Sequence, residues 1–117
     1  MIPSNTALLH AAVEAARRAG TPQRNRFERA QRVTEVTAHD IKLEMDVSSQ
    51  RVISLVLLGR FPGHAILGEE GNEGSADASF RWVVDPLDGT ANYAFGVPVF
   101  AVSIAGQKRV AGGNWQN

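Results

Sequence analysis

The chain contains no cysteine, which rules out disulfides, thiolate metal sites and a cysteine nucleophile. That absence is consistent with a reducing cytoplasm, the expected location. There is no excess charge of either sign: twelve basic residues balance twelve acidic ones. Such a balance offers no electrostatic attraction to nucleic acid or to an anionic membrane, and neither is expected as a partner. Long apolar runs are also missing. The densest, Val52-Ile53-Ser54-Leu55-Val56-Leu57-Leu58, falls far short of the ~20 residues that span a bilayer. The first twenty residues lack a basic n-region followed by an apolar h-region and carry Glu14, Arg17 and Arg18, so they do not read as a secretory signal. No internal repeat or low-complexity tract is present.

What is there suits an ordinary globular chain. Hydrophobic residues make up 44% and charged residues 21% of 117 positions, enough for one domain or part of one. Ser4 to Ala19 has helical spacing, with Leu8, Leu9, Ala12, Val13 and Ala16 as its apolar face. Ser4, Asn5 or Thr6 can cap it, and Gly20 with Pro22 is expected to end it. Half of the basic residues lie between Arg17 and Arg32, and the segment Gln23 to Arg32 reads as a solvated face or loop. Thr34 to Asp46 reads as extended chain leading to a second helix from about Val47 to Arg60, capped by Asp46 or Ser48. Its inner face would carry Val52, Ile53, Val56, Leu57 and Phe61, and Pro62-Gly63 would end it. Short strands follow at Ala65-Ile66-Leu67, at Trp82-Val83-Val84 and at Val97 to Ala105, with a Gly- and acid-rich loop from Gly68 to Ser79.

Two clusters carry chemistry. In Asp85-Pro86-Leu87-Asp88-Gly89-Thr90-Ala91-Asn92, an apolar strand delivers two carboxylates at its C-terminal end. Pro86 favours a turn that brings Asp85 and Asp88 together. Close carboxylates repel unless a cation sits between them, and oxygen ligands without His or Cys suit Mg²⁺. Gly89 permits close backbone approach to a ligand, and Thr90-Ala91-Asn92 can open a helix toward an anion. In Gly68-Glu69-Glu70-Gly71, Glu69 follows its strand much as Asp85 follows Trp82-Val83-Val84. If the two strands are neighbours, Glu69 and Asp85 can share a metal. His10, His39 and His64 stand isolated and read as structural or solvated; Trp82 and Trp115 read as packing residues.

These residues resemble the inositol monophosphatase family. Asp85 to Asn92 is similar to its core motif D-P-[ILVM]-D-G-T-x-N, a highly specific pattern, and Gly68-Glu69-Glu70 resembles its G-E-E motif. Gly96 to Ala105 resembles the family's F-P-x-x-A-V-S-I-type strand. Asp40 to Asp46 stands where the family has a D-x-x-T-x-x-D-type stretch, with Leu43 in place of the Thr. The resemblance runs from about Val33 to Val110. It implies an α+β fold in which two N-terminal helices pack on a mostly antiparallel sheet, an incomplete part of the layered α-β-α-β-α sugar-phosphatase fold. By the same resemblance, Glu69, Asp85 and the carbonyl of Leu87 would hold a first magnesium, and Asp85 and Asp88 a second. Glu69 would assist a weaker third, with Glu70 in support. Gly89 and Thr90 would hold the substrate phosphate through backbone N–H groups, and Thr90 with Asp46 would orient or deprotonate the attacking water. The implied reaction is lithium-sensitive hydrolysis of a small phosphorylated metabolite, inositol 1-phosphate by default. Fructose 1,6-bisphosphate, adenosine 3′,5′-bisphosphate and histidinol phosphate are the alternatives.

The chain departs from the family in length and ending. Family members are roughly twice as long, and their second half carries a W-D-x-A-A-type motif whose Asp completes the second metal site. No such motif occurs here, and Val110 to Asn117 turns polar where an apolar strand is expected. There is no family-type Lys ahead of Asp40; Glu35 lies near its place. Residues 1–117 are therefore expected to form a single partial domain: a truncated, alternatively spliced or frame-shifted product, marginally stable or associating through an exposed sheet edge. A catalytically incomplete fragment that only binds metal or pairs with a partner is the competing expectation. A haloacid-dehalogenase-type phosphatase is disfavoured, because its D-x-D-G-T places the two Asp two positions apart and near the N-terminus.

Overall fold

The computed structural model describes residues 2–29, 33–36 and 41–117. Asp40 of the family-like stretch lies outside the described residues, as do His39 and residues 30–32 of the basic segment. Helix α1 (Asn5–Asn25) and helix α2 (Glu44–Arg60) pack together on one face of a five-stranded sheet. Its strands are β3 (Ala65–Gly68), β4 (Gly71–Gly74), β5 (Phe80–Asp88), β6 (Ala101–Arg109) and β7 (Trp115–Gln116), in the spatial order β4-β3-β5-β6-β7. Only the β3–β5 pair is parallel; the other three pairings are antiparallel. A separate two-stranded sheet joins β1 (Val33–Val36) to β2 (Ile41–Leu43), and a short helix, α3 (Thr90–Ala94), follows β5. This is the expected α+β arrangement of two helices on a mostly antiparallel sheet.

Ser4 caps α1 by accepting from the Ala7 N–H at 3.1 Å. Beyond that point the helix departs from expectation in two ways. Its buried stripe is Leu8, Ala11, Ala15, Ala19 and Gln23, at a spacing of three to four residues; Leu9 and Val13 face solvent. Alanines at successive turns let α1 approach its neighbours closely, which larger side chains would prevent. The helix also runs on through Gly20 and Pro22 to Asn25. A proline inside a helix costs about 3 kcal/mol. The last turn is held from outside, because the Gln23 amide and carbonyl both bond to distant parts of the chain. Gln23 is thus buried, not part of a solvated loop.

Helix α2 starts three residues earlier than expected, with Leu43 as N-cap and neither Asp46 nor Ser48 in that role. Asp46 sits in the first turn, where its Oδ2 accepts from the Leu43 N–H at 2.7 Å. This satisfies one of the free donors of the helix start and places negative charge at its positive end. Ile53 and Leu57 are fully buried, with Val56 and Phe61 partly covered. They meet Ile66, Phe80, Trp82 and Val84 from the sheet in the main core.

Two loop expectations are corrected. Residues 71–74 are not loop but β4, folded back on β3 in a hairpin. Gln50 of α2 holds that turn by accepting from the Glu70 N–H at 2.9 Å and donating to the Gly71 carbonyl at 2.8 Å. Strand β6 begins at Ala101 instead of Val97, because residues 97–99 are tied to α3: the Val97 N–H donates to the Asn92 carbonyl and the Asn92 amide to the Val99 carbonyl. Within β6 the side chains alternate, with Val102 and Ile104 packed against the main core and Ala101, Ser103 and Ala105 exposed.

His64 is structural. It is buried, stacks on Phe61 and accepts the Trp82 indole N–H at Nδ1 (3.2 Å), which leaves its own proton on Nε2. Burial lowers its pKa from the usual 6.5, since the charged form is desolvated. The unfolded chain therefore binds this proton more readily than the folded one. The resulting stability is complete above about pH 6.5 and is lost as pH falls toward the lower folded value. Chemical denaturation at neutral and mildly acidic pH should show wild type losing more stability than His64→Gln, which keeps an acceptor but cannot protonate. Equal losses would remove His64 as a cause.

Candidate metal and phosphate site

The site forms where β5 ends. Between Asp85 and Asp88 the β5–β6 register shifts: Asp85 pairs with Ser103 and Asp88 with Ala101. Pro86 and Leu87 thus stand opposite the single residue Val102, which is a β-bulge. In a regular strand, residues three apart point to opposite faces. The extra residue changes that parity and lets the two carboxylates converge. The strand therefore does not stop at Asp85, as expected; it continues to Asp88 through a bulge, and the bulge does what a turn at Pro86 was expected to do.

The convergence has an electrostatic consequence. One oxygen of Asp85, Oδ1, is buried without any hydrogen-bond partner. Its pKa is raised, first by desolvation, then by the nearby charge of Asp88 and more weakly by that of Asp46. A hydrogen bond from the Leu87 backbone acts in the opposite direction. A buried, orphaned carboxylate oxygen next to a second carboxylate is unfavourable on its own terms and is relieved by a cation. With only oxygen donors at hand, the set suits a hard ion such as Mg²⁺, which retains several waters.

Gly89 follows with φ +91°, and a Cβ there would sit 2.7 Å from the Val99 carbonyl oxygen, so only glycine fits. It is the N-cap of α3, whose first residue is Thr90. Thr90 Oγ1 lies 2.9 Å from Asp46 Oδ1 and 2.9 Å from the Leu87 carbonyl. Both neighbours are acceptors, and the hydroxyl has one proton to give; its lone pairs stay open to a further donor. The Asp46–Thr90 pair, 44 positions apart in the chain, is thus formed.

Glu69 and Glu70 are placed less completely. The parallel β3–β5 register sets Gly68 beside Val84, so Glu69 and Asp85 leave the same end of neighbouring strands, and the Glu69 N–H donates to the Val84 carbonyl at 3.4 Å. Among the described residues, however, no three acidic or histidine side chains are gathered closely enough to hold a metal. Asp85 feels the charge of Asp88 and more weakly that of Asp46, Thr90 bonds to Asp46 and to Leu87, and Glu69 stands at the end of the neighbouring strand.

Two residues support the site that the sequence did not point to as such: Gln23, expected in a solvated segment, and Gln50. Gln23 is buried and donates to the Pro86 carbonyl at 2.8 Å and to Ser49 Oγ at 2.9 Å. Gln50 is buried under the turn that carries Glu69 and Glu70. Their signal was position. Gln23 continues the α1 stripe four residues after Ala19, and Gln50 lies three before Ile53 on the inner face of α2. An amide on an apolar stripe demands partners.

The model of the inositol monophosphatase family matches residues 4–111. The chain is 46% identical over 103 residues to Nus factor SuhB of Pseudomonas aeruginosa, covering 84% of this chain and 38% of that protein. It is 37% identical over 105 residues to inositol-1-monophosphatase of Rhizobium meliloti, covering 87% and 40% respectively. The crystal structure of extragenic suppressor protein suhB from Bartonella henselae superposes with a TM-score of 0.81 at 32% identity, over 87% of this chain and 41% of that one. The chain thus spans about two fifths of the length of these relatives. With a family match over residues 4–111, the chain belongs to the inositol monophosphatase family.

Proposed function

We propose that this chain provides the metal- and phosphate-binding part of a site for Mg²⁺-dependent hydrolysis of a phosphate monoester, with inositol 1-phosphate as the first substrate. The observation that carries this reading is the orphaned Asp85 oxygen beside Asp88, at the same strand end as the Asp46–Thr90 pair. Asp85, Asp88 and the Leu87 carbonyl would hold the metal, with Glu69 as a further ligand. When bound, Mg²⁺ supplies charge neutralisation on the phosphate and a more acidic water. Thr90 Oγ1 has its own proton directed at Asp46 or the Leu87 carbonyl, so its lone pairs would be free to accept from an attacking water and orient it. Asp46, which accepts from that hydroxyl, would take up its proton as the hydroxyl receives one from the water. The backbone N–H groups of Gly89 and Thr90, at the start of α3, would hold the phosphate oxygens. Inositol 1-phosphate is put first because a relative carries the name inositol-1-monophosphatase.

A second reading is favoured by the absence of a three-residue acidic cluster among the described residues. In it, the chain binds metal or pairs with a partner or a second copy through its sheet edges, without turnover. One assay separates the two: phosphate release from inositol 1-phosphate, with and without EDTA, beside Asp88→Asn. Release that depends on Mg²⁺, falls with lithium and vanishes in the variant supports the enzyme. Magnesium binding without release supports the fragment, and sedimentation then reports whether the chain pairs. The same assay run with fructose 1,6-bisphosphate, adenosine 3′,5′-bisphosphate and histidinol phosphate ranks the substrates.

A further inference from the structure

We infer that Gln23 is a positioning residue for the metal site, clamping the Asp85–Asp88 bulge from the far end of α1. This rests on the metal-site reading above. The Gln23 side chain is almost completely buried, and its amide has two protons and two acceptors, the Pro86 carbonyl at 2.8 Å and Ser49 Oγ at 2.9 Å. Its backbone carbonyl accepts from the Tyr93 hydroxyl at 2.8 Å. One residue thus joins α1, α2, the bulge and α3.

The contact at Pro86 matters because of what stands on either side of it. Pro86 is the residue after Asp85, and its carbonyl belongs to the peptide that leads into Leu87. A peptide plane is rigid, so fixing one carbonyl limits the rotation of its neighbours. The bulge has given up a regular ladder pairing at Pro86 and Leu87, so the sheet does not fix that plane by itself. The Gln23 amide supplies the missing restraint, and through it the Leu87 carbonyl and the Asp85 and Asp88 carboxylates keep one arrangement. An apolar side chain of similar size would fill the space but leave the Pro86 carbonyl buried and unpaired. This also explains why α1 continues past Pro22: the helix must extend that far to deliver Gln23.

The test is calorimetric Mg²⁺ titration of the full 117-residue chain and of Gln23→Met, with near-ultraviolet circular dichroism to establish that both are folded. Mg²⁺ affinity is expected to fall about tenfold or more in the variant, as for other residues that orient metal ligands. Equal affinity in a folded Gln23→Met would overturn the inference while leaving the metal site intact. A wild-type chain that binds no Mg²⁺ would overturn both, so the two failures are distinguishable. If Gln23→Met does not fold, the wild-type chain still decides. The Gln23 side-chain amide resonances should shift on saturation with Mg²⁺; if they do not move while the Asp85–Asp88 backbone does, Gln23 is not coupled to the site.

Discussion

Asp85→Asn is expected to abolish Mg²⁺ binding and to lower any phosphate release by a factor of about a thousand or more, the scale of removing a principal electrostatic contact. Without metal, the same substitution should leave the chain as stable as wild type or more stable by roughly 1 kcal/mol. The two effects have opposite signs because Asp85 is poorly placed as a structural residue. Its Oδ1 is buried with no partner, and burial and the Asp88 charge both disfavour ionisation. Neutralising it removes that penalty, and it also removes the charge a cation requires. Calorimetric titration and thermal melting in EDTA measure the two halves independently. A variant that melts earlier in EDTA and still binds Mg²⁺ would make Asp85 a packing residue and end the metal-site reading.

Leu57→Ala is expected to have the largest effect on stability. Leu57 is 0% exposed in the core between α2 and the sheet, with Ile53, Ile66, Trp82 and Val84 in the same cluster. Cutting a buried leucine to alanine costs about 2–5 kcal/mol, partly from lost burial and partly from the cavity left behind. That is a large share of the ~5–15 kcal/mol that holds a whole domain together. Among the described residues the second buried cluster, around Leu43, Met45, Leu87 and Tyr93, is smaller, so the helix–sheet cluster that contains Leu57 carries most of the core. A fall in Tm on the order of 10–15 °C should follow, with loss of the folded signal near the wild-type midpoint. Leu55→Ala, two positions earlier but 71% exposed, should change stability by less than about 0.5 kcal/mol. Similar losses for both would mean that α2 does not present the face described.

The site was the most legible part of the sequence. The order Asp85-Pro86-Leu87-Asp88-Gly89-Thr90 announces carboxylates after an apolar strand, a glycine needed for its backbone angle and a helix start, and each of these signals is local. The family resemblance added the Asp46–Thr90 pair, which the fold then formed. Legibility ended where a residue's role depends on distant partners. Pro22 and Gly20 carry the marks of a helix end, yet bonds to Pro86 and Tyr93, 63 and 70 positions away from Gln23, hold the helix open past them. Leu9 and Val13 looked like core and face solvent, because alanines allow the closer approach. The Gly68–Ser79 loop looked unstructured and contains a strand, because Gln50 from α2 holds its turn.

The sequence by itself determined the two main helices, the strands at Ala65-Ile66-Leu67 and Trp82-Val83-Val84, and which carboxylates follow a strand, because propensity and periodicity act over a few residues. Tertiary structure alone decided that β3 lies parallel beside β5, so that Glu69 and Asp85 leave the same edge. It alone decided that a bulge opposite Val102 turns Asp85 and Asp88 toward each other, and that two buried glutamines hold the turns carrying the acids. The reason is that register, parity and the partner of a buried amide are set by residues far away in the chain, and no local pattern encodes which of them will arrive.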